Sequence, residues 1–460
     1  MRGYMVTQPG NMSNGLEGAV RFGREGGREK GEGESMKIAY VGAGSITFGP
    51  RLIADVLLSK VLQGCTLALV DVNEERAALM EKLGRRMAQQ ANADVEIEAM
   101  SQQQALDGAD FVLTTIGVGG FGAEALDIEI PRKYGIAQSV GDTVGPGGLS
   151  RALRTIPATL DICRDMERLC PDAWLINFTN PLSAVCRAVA LASKVKCVGL
   201  CHGIEGTRDY LAGLIGVERQ RLTLKAAGIN HLTWIRDLLI DGEEGYPRLG
   251  EALAEKPEVG PVSRELMETY GLWPSPGDSH VAEFFSFFFG PEAEYGEKYG
   301  LPQWPHRLNV EERQKMFESL RAQAEGEAEI GPVKPSGEWG LAIIETMKSG
   351  QKGTFHVNVT NGRAISNLPE HAIVELDGDV EGRQIRLQNF GELPPAIASH
   401  LRRIIDVQEM TARAAIDGDR VMALQALAAD PLCAGVTLPQ AREMLDELLS
   451  AHSGLLPQFD

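Results

Sequence analysis

Three short stretches carry side chains able to do chemistry together. The first is GLCHG, where Cys201 and His202 follow an apolar run and so stand at the end of a predicted strand. The second, GINHLTW, puts Asn230 and His231 at the boundary between two alternating runs. The third, PSPGDSHVAEFF, packs Asp278, His280 and Glu283 closely after a loop rich in Pro and Gly. A thiolate from Cys201 and an imidazole from His231 make half a shell for a divalent cation, leaving water or substrate oxygens to complete it. Taken alone, a cysteine at a strand end reads first as a buried, inert thiol. Asp278 is either a helix cap or a base at the mouth of a cleft, and spacing alone does not choose.

Such groups need a scaffold that brings strand ends together. MKIAYVGAGSITFGPRLIADVLLS runs from an apolar strand through a glycine turn into an amphipathic helix. Gly42 and Gly44, with Ser45 and Ile46 in the same turn, let backbone approach a pyrophosphate at a helix N-terminus. Thr47 stands where the dinucleotide fingerprint has its third glycine, so the motif is incomplete. CTLALVDVNEE ends a second strand at Asp71, placed either to accept both ribose hydroxyls of NAD or to start a helix beside Asn73. Further strands are predicted at Val95–Met100 and within DFVLTTIGVGG, AWLINFTN and KCVGLCH. Strands alternating with helices predict a doubly wound parallel Rossmann sheet, an NAD-binding domain over 36–202. Ligands bind at the carboxyl ends of such strands, where NFTNP and CHG both fall.

The remainder, 203–460, reads as a mixed α/β domain for substrate, metal and oligomerisation. GTFHVNVTNG and HAIVELDGDVEG read as strands, and Pro394 to Ala429 as long helices. IPRKYGIAQSVGDTVGPGG reads as a long glycine-rich loop, a candidate lid over the cofactor. Residues 1–35 are rich in Gly, Glu and Arg and are expected to be a disordered extension. A net charge of -18 argues against nucleic acid or an anionic membrane as partner. No apolar run approaches the roughly 20 residues of a membrane span. Seven cysteines without scaffold or ribbon spacing suit a reducing cytoplasm.

MKIAYVGAGS, IEIPRKYGIAQSVGDTVGPGG, INFTNP, GLCHG, GINHLTW, GDSHVAEFF and TNGRAISNLP occur in this order. Together they resemble glycoside hydrolase family 4, from about residue 36 to the C-terminus. The resemblance implies a lactate/malate dehydrogenase-like fold, NAD, a divalent metal such as Mn2+, and a homodimer or homotetramer. It implies oxidation at C3 of the sugar, loss of the C2 proton, elimination at C1, hydration and re-reduction. An acid/base pair of carboxylates is then not required. Carried over by position, Cys201 and His231 are the metal ligands and Asp278 the C2 base. Asn180 of the TNP motif binds substrate, with Asn230 a second substrate contact. His202 protonates the leaving group or orients a sugar hydroxyl.

Cys-His-Gly-Ile resembles the α-galacturonidase branch, so the expected substrate is a non-phosphorylated α-galacturonide. An α-galactoside, α-glucoside or α-glucuronide is the alternative within the family. A uronate needs a cation for its C6 carboxylate, and Arg132, Lys133, Arg151 and Arg154 are candidates. A plain hydroxy-acid dehydrogenase on the same fold is the alternative of another class, but it has no use for a metal cysteine.

Overall fold

The computed structural model describes residues 35–302 and 310–459. The expectation of disorder over 1–35 lies, Ser35 apart, outside the described residues. Six strands form the parallel half: β1 (Lys37–Val41), β2 (Cys65–Val70), β3 (Val95–Ala99), β4 (Phe111–Thr114), β5 (Trp174–Asn177) and β6 (Lys196–Gly199). They lie in the order β3-β2-β1-β4-β5-β6, the doubly wound arrangement that the alternating pattern predicts. The period of two is visible in the packing. Ile38 and Tyr40 of β1 join one apolar cluster with Leu67 and Leu69 of β2. Ala39 and Val41 face a second cluster with Ala68 and Val70. Both faces are covered, which is why these strands read as unbroken apolar runs.

The second half extends the same sheet. Its strands are β7 (Leu222–Ile229), β8 (Leu232–Ile240), β9 (Glu243–Glu244), β10 (Trp273–Ser275), β11 (Lys352–Thr360), β12 (Ile373–Glu381) and β13 (Gln384–Leu387). The path continues β6-β11-β12-β7-β8-β10, every pairing beyond β6 being antiparallel. The seam is narrow, for β11 meets β6 through the pair Asn358 and Gly199 alone. The helices Pro395–Asp417 and Arg420–Ala429 occupy the stretch predicted as helical. No described helix is long and apolar enough to cross a membrane.

The glycine-rich stretch after β4 is not a surface lid. It forms a helix, Gly120–Lys133, a connection, and the N-terminus of a second helix, Gly145–Leu169. The connection is buried apart from Asp142 and the residues around Tyr134. Glu283 holds it, its carboxylate accepting from the amides of Val140 (2.5 Å) and Gly141 (2.9 Å). Asp430 accepts from the Gly145 amide (2.9 Å). A buried backbone must find such partners, and here they fix Asp142 on the inner side of the sheet ends.

Candidate active site

The nucleotide wall is made of backbone. Gly42 has φ +89, and a Cβ there would lie 2.7 Å from the Thr115 carbonyl oxygen. A Cβ on Gly44 would lie 2.7 Å from Asp71 Oδ2, the atom that accepts from the Gly44 amide at 2.9 Å. Only glycine fits either place. Asp71 Oδ1 accepts from the Asn73 amide (2.9 Å), and Asn73 itself caps the next helix by accepting from the Arg76 amide (3.0 Å). Asp71 is therefore not the helix cap, which is Asn73, and its carboxylate keeps lone-pair directions beyond the two amide contacts. Ser45 Oγ accepts from the Phe48 amide at the entry to the helix Gly49–Leu58. Ile46 lines a cavity of 310 Å³ with Thr47, Pro50 and Arg51 on that entry and Met316, Ser319 and Leu320 on a later helix. The glycine loop thus fits a dinucleotide.

The facing wall is made of side chains. Asn230 and His231 are the two turn residues between β7 and β8, and His231 has φ +64. A non-glycine residue held there costs roughly 1–3 kcal/mol, a strain that marks functional positions. His231, Asp142 and His280 bring their ligand atoms within 4.8 Å of one another. The rings of His231 and His280 lie 4.2 Å apart between centroids.

Thr143 orients the triangle. Its hydroxyl donates to Asp142 Oδ1 (2.8 Å) and is 2.7 Å from His231 Nδ1. Since that hydroxyl proton goes to Asp142, Nδ1 is the donor, which makes Nε2 the acceptor nitrogen of the neutral His231 ring. Asn180 Nδ2 donates to Asp142 Oδ2 (3.2 Å), tying the TNP motif to the same group. Burial pushes the Asp142 carboxyl up, but His280, His231, Arg151 and the Thr143 hydroxyl outweigh it and hold it below the usual carboxylate range. Two imidazoles and an anionic carboxylate suit a divalent first-row cation.

Cys201 lies outside this triangle. It follows β6 by two residues, and its sulfur accepts from the Gly203 amide at 3.4 Å. Burial and the Glu375 charge push the thiol up, while Gly203 and Asn230 pull it down. Gly203 is required by packing, since a Cβ there would lie 2.8 Å from Pro276.

His202 is exposed and donates from Nδ1 to the Gly337 carbonyl (3.2 Å). Neighbouring Glu338 is pushed up by burial, the His202 charge opposing. Asp278 begins the short helix Asp278–Val281 but caps a different one. Its carboxylate accepts from Val262 N (2.9 Å), Ser263 N (3.0 Å) and Ser263 Oγ (2.6 Å), at the start of the helix Pro261–Tyr270.

Of the four cations offered for a uronate, Arg154 is buried and makes a bidentate pair with Asp127 (2.7 and 2.6 Å), whose Oδ1 also meets His452 at 3.0 Å. Lys133 is paired with Glu447 at the surface. Arg151 pairs with Glu124 (2.9 Å) and is the one whose charge reaches Asp142. Asp142, Thr143, Glu338 and Glu375 were not singled out as site residues by motif and spacing, and His280 was named in its stretch without a role. The first two sit in GDT within the supposed lid, and His280 lies two residues beyond Asp278.

A doubly wound sheet with a nucleotide turn and a cation triangle defines a cofactor-dependent enzyme of dehydrogenase architecture. The family 4 glycosyl hydrolase model matches residues 37–217, and the model for that family's C-terminal domain matches 226–433. The chain belongs to glycosyl hydrolase family 4. It is 33% identical to an α-galactosidase of Bacillus subtilis, over 92% of this chain and 99% of that one. To an α-galacturonidase of the same organism it is 32% identical, over 90% and 97%. Its fold superposes on a 6-phospho-α-glucosidase from gut microorganisms, in complex with NAD and Mn2+, with a TM-score of 0.81 at 20% identity, covering 93% of this chain and 100% of that one.

Proposed function

We propose that this glycosidase cleaves a non-phosphorylated α-glycoside, an α-galacturonide foremost, by oxidation at C3, loss of the C2 proton and elimination of the aglycone. The observation that carries the reading is the triangle of Asp142, His231 and His280. It fits a divalent cation such as Mn2+, with Cys201 outside the triangle, as the glycine turn fits NAD. When bound, the two supply a reversible hydride acceptor and a Lewis acid.

The chain's own residues do the rest. Gly42, Gly44, Ser45, Ile46 and Asp71 hold the dinucleotide. Asn180 and Asn230 orient sugar hydroxyls. Asp278 takes the C2 proton, for which three contacts to the helix start leave about one lone-pair direction. His202 faces the leaving-group oxygen. Arg151 gives up Glu124 to meet the C6 carboxylate, a charge-assisted contact that a neutral galactoside lacks. All seven cysteines are free, which supports a cytoplasmic setting. A homodimer or homotetramer belongs to the same reading, and light scattering tests it.

The test is nitrophenol release from α-galacturonide, α-galactoside and α-glucoside substrates with NAD, Mn2+ and a thiol reductant, repeated without NAD and without metal. Release from the galacturonide, lost on either omission, supports mechanism and sugar together. Release from the galactoside alone, which the α-galactosidase relative makes the second arm, keeps the mechanism and discards the uronate. Release that persists without NAD removes the mechanism.

A further inference from the structure

A short segment before the helix Trp339–Ser349 frames the histidine assigned to the leaving group. His202 donates from Nδ1 to the Gly337 carbonyl oxygen at 3.2 Å. A carbonyl can only accept, so Nδ1 carries a proton whether the ring is neutral or charged. The proton that comes and goes is then the one on Nε2, at the tip of the ring. Gly337 packs closely on that ring: its φ is +85, and a Cβ there would stand 3.3 Å from His202 Cε1. A side chain in its place would strain the turn and crowd the imidazole.

What aims the carbonyl is the other end of the same peptide. The Glu338 amide donates to Ser336 Oγ at 2.9 Å. The Gly337–Glu338 bond is trans, and a trans peptide is planar with its C=O and N–H pointing in opposite directions. Fixing the Glu338 N–H on one side therefore fixes the Gly337 C=O on the other, toward His202. Ser336 is anchored in turn. Its amide donates to Asp55 Oδ1 (2.7 Å) and its hydroxyl donates to Asp55 Oδ2. With its one proton on Asp55, the Ser336 oxygen offers the Glu338 amide a lone pair and nothing else. Asp55 is half-buried on the helix Gly49–Leu58, which follows the nucleotide turn. The element that receives the dinucleotide thus carries the anchor of a histidine on the opposite side of the site.

We propose that Asp55 and Ser336 are positioning residues for departure of the aglycone: through the Gly337–Glu338 peptide they hold His202 so that Nε2 is the nitrogen that exchanges a proton with the glycosidic oxygen. His202 is the catalytic residue, and the other two act through it. In the elimination the C1–O electron pair stays with the departing oxygen. That oxygen takes the Nε2 proton, and the aglycone leaves as an alcohol. The water that then adds at C1 returns a proton to Nε2. Nδ1 keeps its proton throughout, so the ring need not turn between the two steps. The inference rests on the assignment of His202 to the leaving-group oxygen made above.

The test compares the methyl and dinitrophenyl glycosides of the sugar that the wild-type chain accepts, with NAD and Mn2+ present. A dinitrophenolate departs without a proton, whereas methoxide needs one. His202→Ala is expected to lower kcat/KM for the methyl glycoside by about 10²- to 10⁴-fold and to spare the dinitrophenyl glycoside. Ser336→Ala should show the same split, at about 10²-fold for a displaced donor. Ser336→Thr keeps the hydroxyl and should retain wild-type rates on both substrates. Asp55→Ala withdraws the anchor itself and should split the two substrates likewise if Ser336→Ala does not fold. Equal losses on both glycosides, or wild-type rates on both in Ser336→Ala, overturn the positioning role while His202→Ala keeps its split. A His202→Ala chain without the split removes the proton-donor reading, and this inference with it.

Discussion

The two walls of the crevice are built on opposite principles. The nucleotide wall centres on one continuous stretch, β1 through the turn, where backbone amides line the site and Asp71 beyond β2 is the side chain that meets them. The facing wall, where a divalent cation is proposed, assembles Asp142 from the connection after β4, His231 from a hairpin turn and His280 from a short helix near the far end of the sheet. A backbone site needs only local geometry, so its specification is local. A side-chain site needs three remote segments held in register, and carboxylates do the holding. Glu283 anchors Val140 and Gly141, Asp430 anchors Gly145, and Asp278 anchors the helix Pro261–Tyr270. The costs differ accordingly. Replacing glycine strains one turn, whereas removing a ligand or its anchor loosens groups far apart in sequence.

The sharpest break in that contrast is His231→Ala. A Lewis acid contributes several kcal/mol to such a reaction, so glycoside cleavage should fall by roughly 10³-fold, and Mn2+ should no longer raise the thermal midpoint. NAD binding, measured by fluorescence, should stay near normal if the walls are independent. Thr143→Val removes the hydroxyl between His231 and Asp142 and should weaken Mn2+ by about 10- to 100-fold in a direct titration. Unchanged affinity would show that Thr143 does not set the His231 tautomer. On the opposite wall, Gly44→Ala must push aside Asp71 or the loop. At about 1–3 kcal/mol for overpacking, NAD affinity should drop roughly tenfold to hundredfold with Mn2+ binding intact.

The smallest effect concerns an anchor. Burial pushes the Asp430 carboxyl up to about 6, against the pull of the Leu432 and Gly145 amides and of Arg403. Its folded value lies above the unfolded value of 3.8. Its contribution to stability is therefore complete below that unfolded value and is lost as pH rises through about 6. Thermal midpoints should show this fall across that window, and Asp430→Asn should flatten it. An unchanged slope in the variant would assign it to another group.

The expected motifs differ in how far the chain alone could place them. Cys201 and His231 were legible because each stands beside an abrupt end of an apolar pattern, and the alternating strands located both at sheet ends. Asp142 was hidden in a glycine-rich run that resembles a surface loop in composition. Its connection is buried because Glu283, far along the chain, satisfies the amides that would otherwise need water. Asp278 looked like a local cap, and its acceptors do serve a helix start, but of the helix that precedes it. Arg154 looked available for a carboxylate until Asp127 and His452 closed around it.

Residue order by itself determined the doubly wound half, the nucleotide turn and the family, because those depend on periodicity, glycine placement and short contiguous motifs. The tertiary structure decided which acids and imidazoles meet. The cluster of Asp142, His231 and His280 draws on both halves of the sheet, which meet at a seam where β11 touches β6 through a single pair. Register is a property of the closed sheet, set by the packing of both its faces, and no local stretch of the chain contains it.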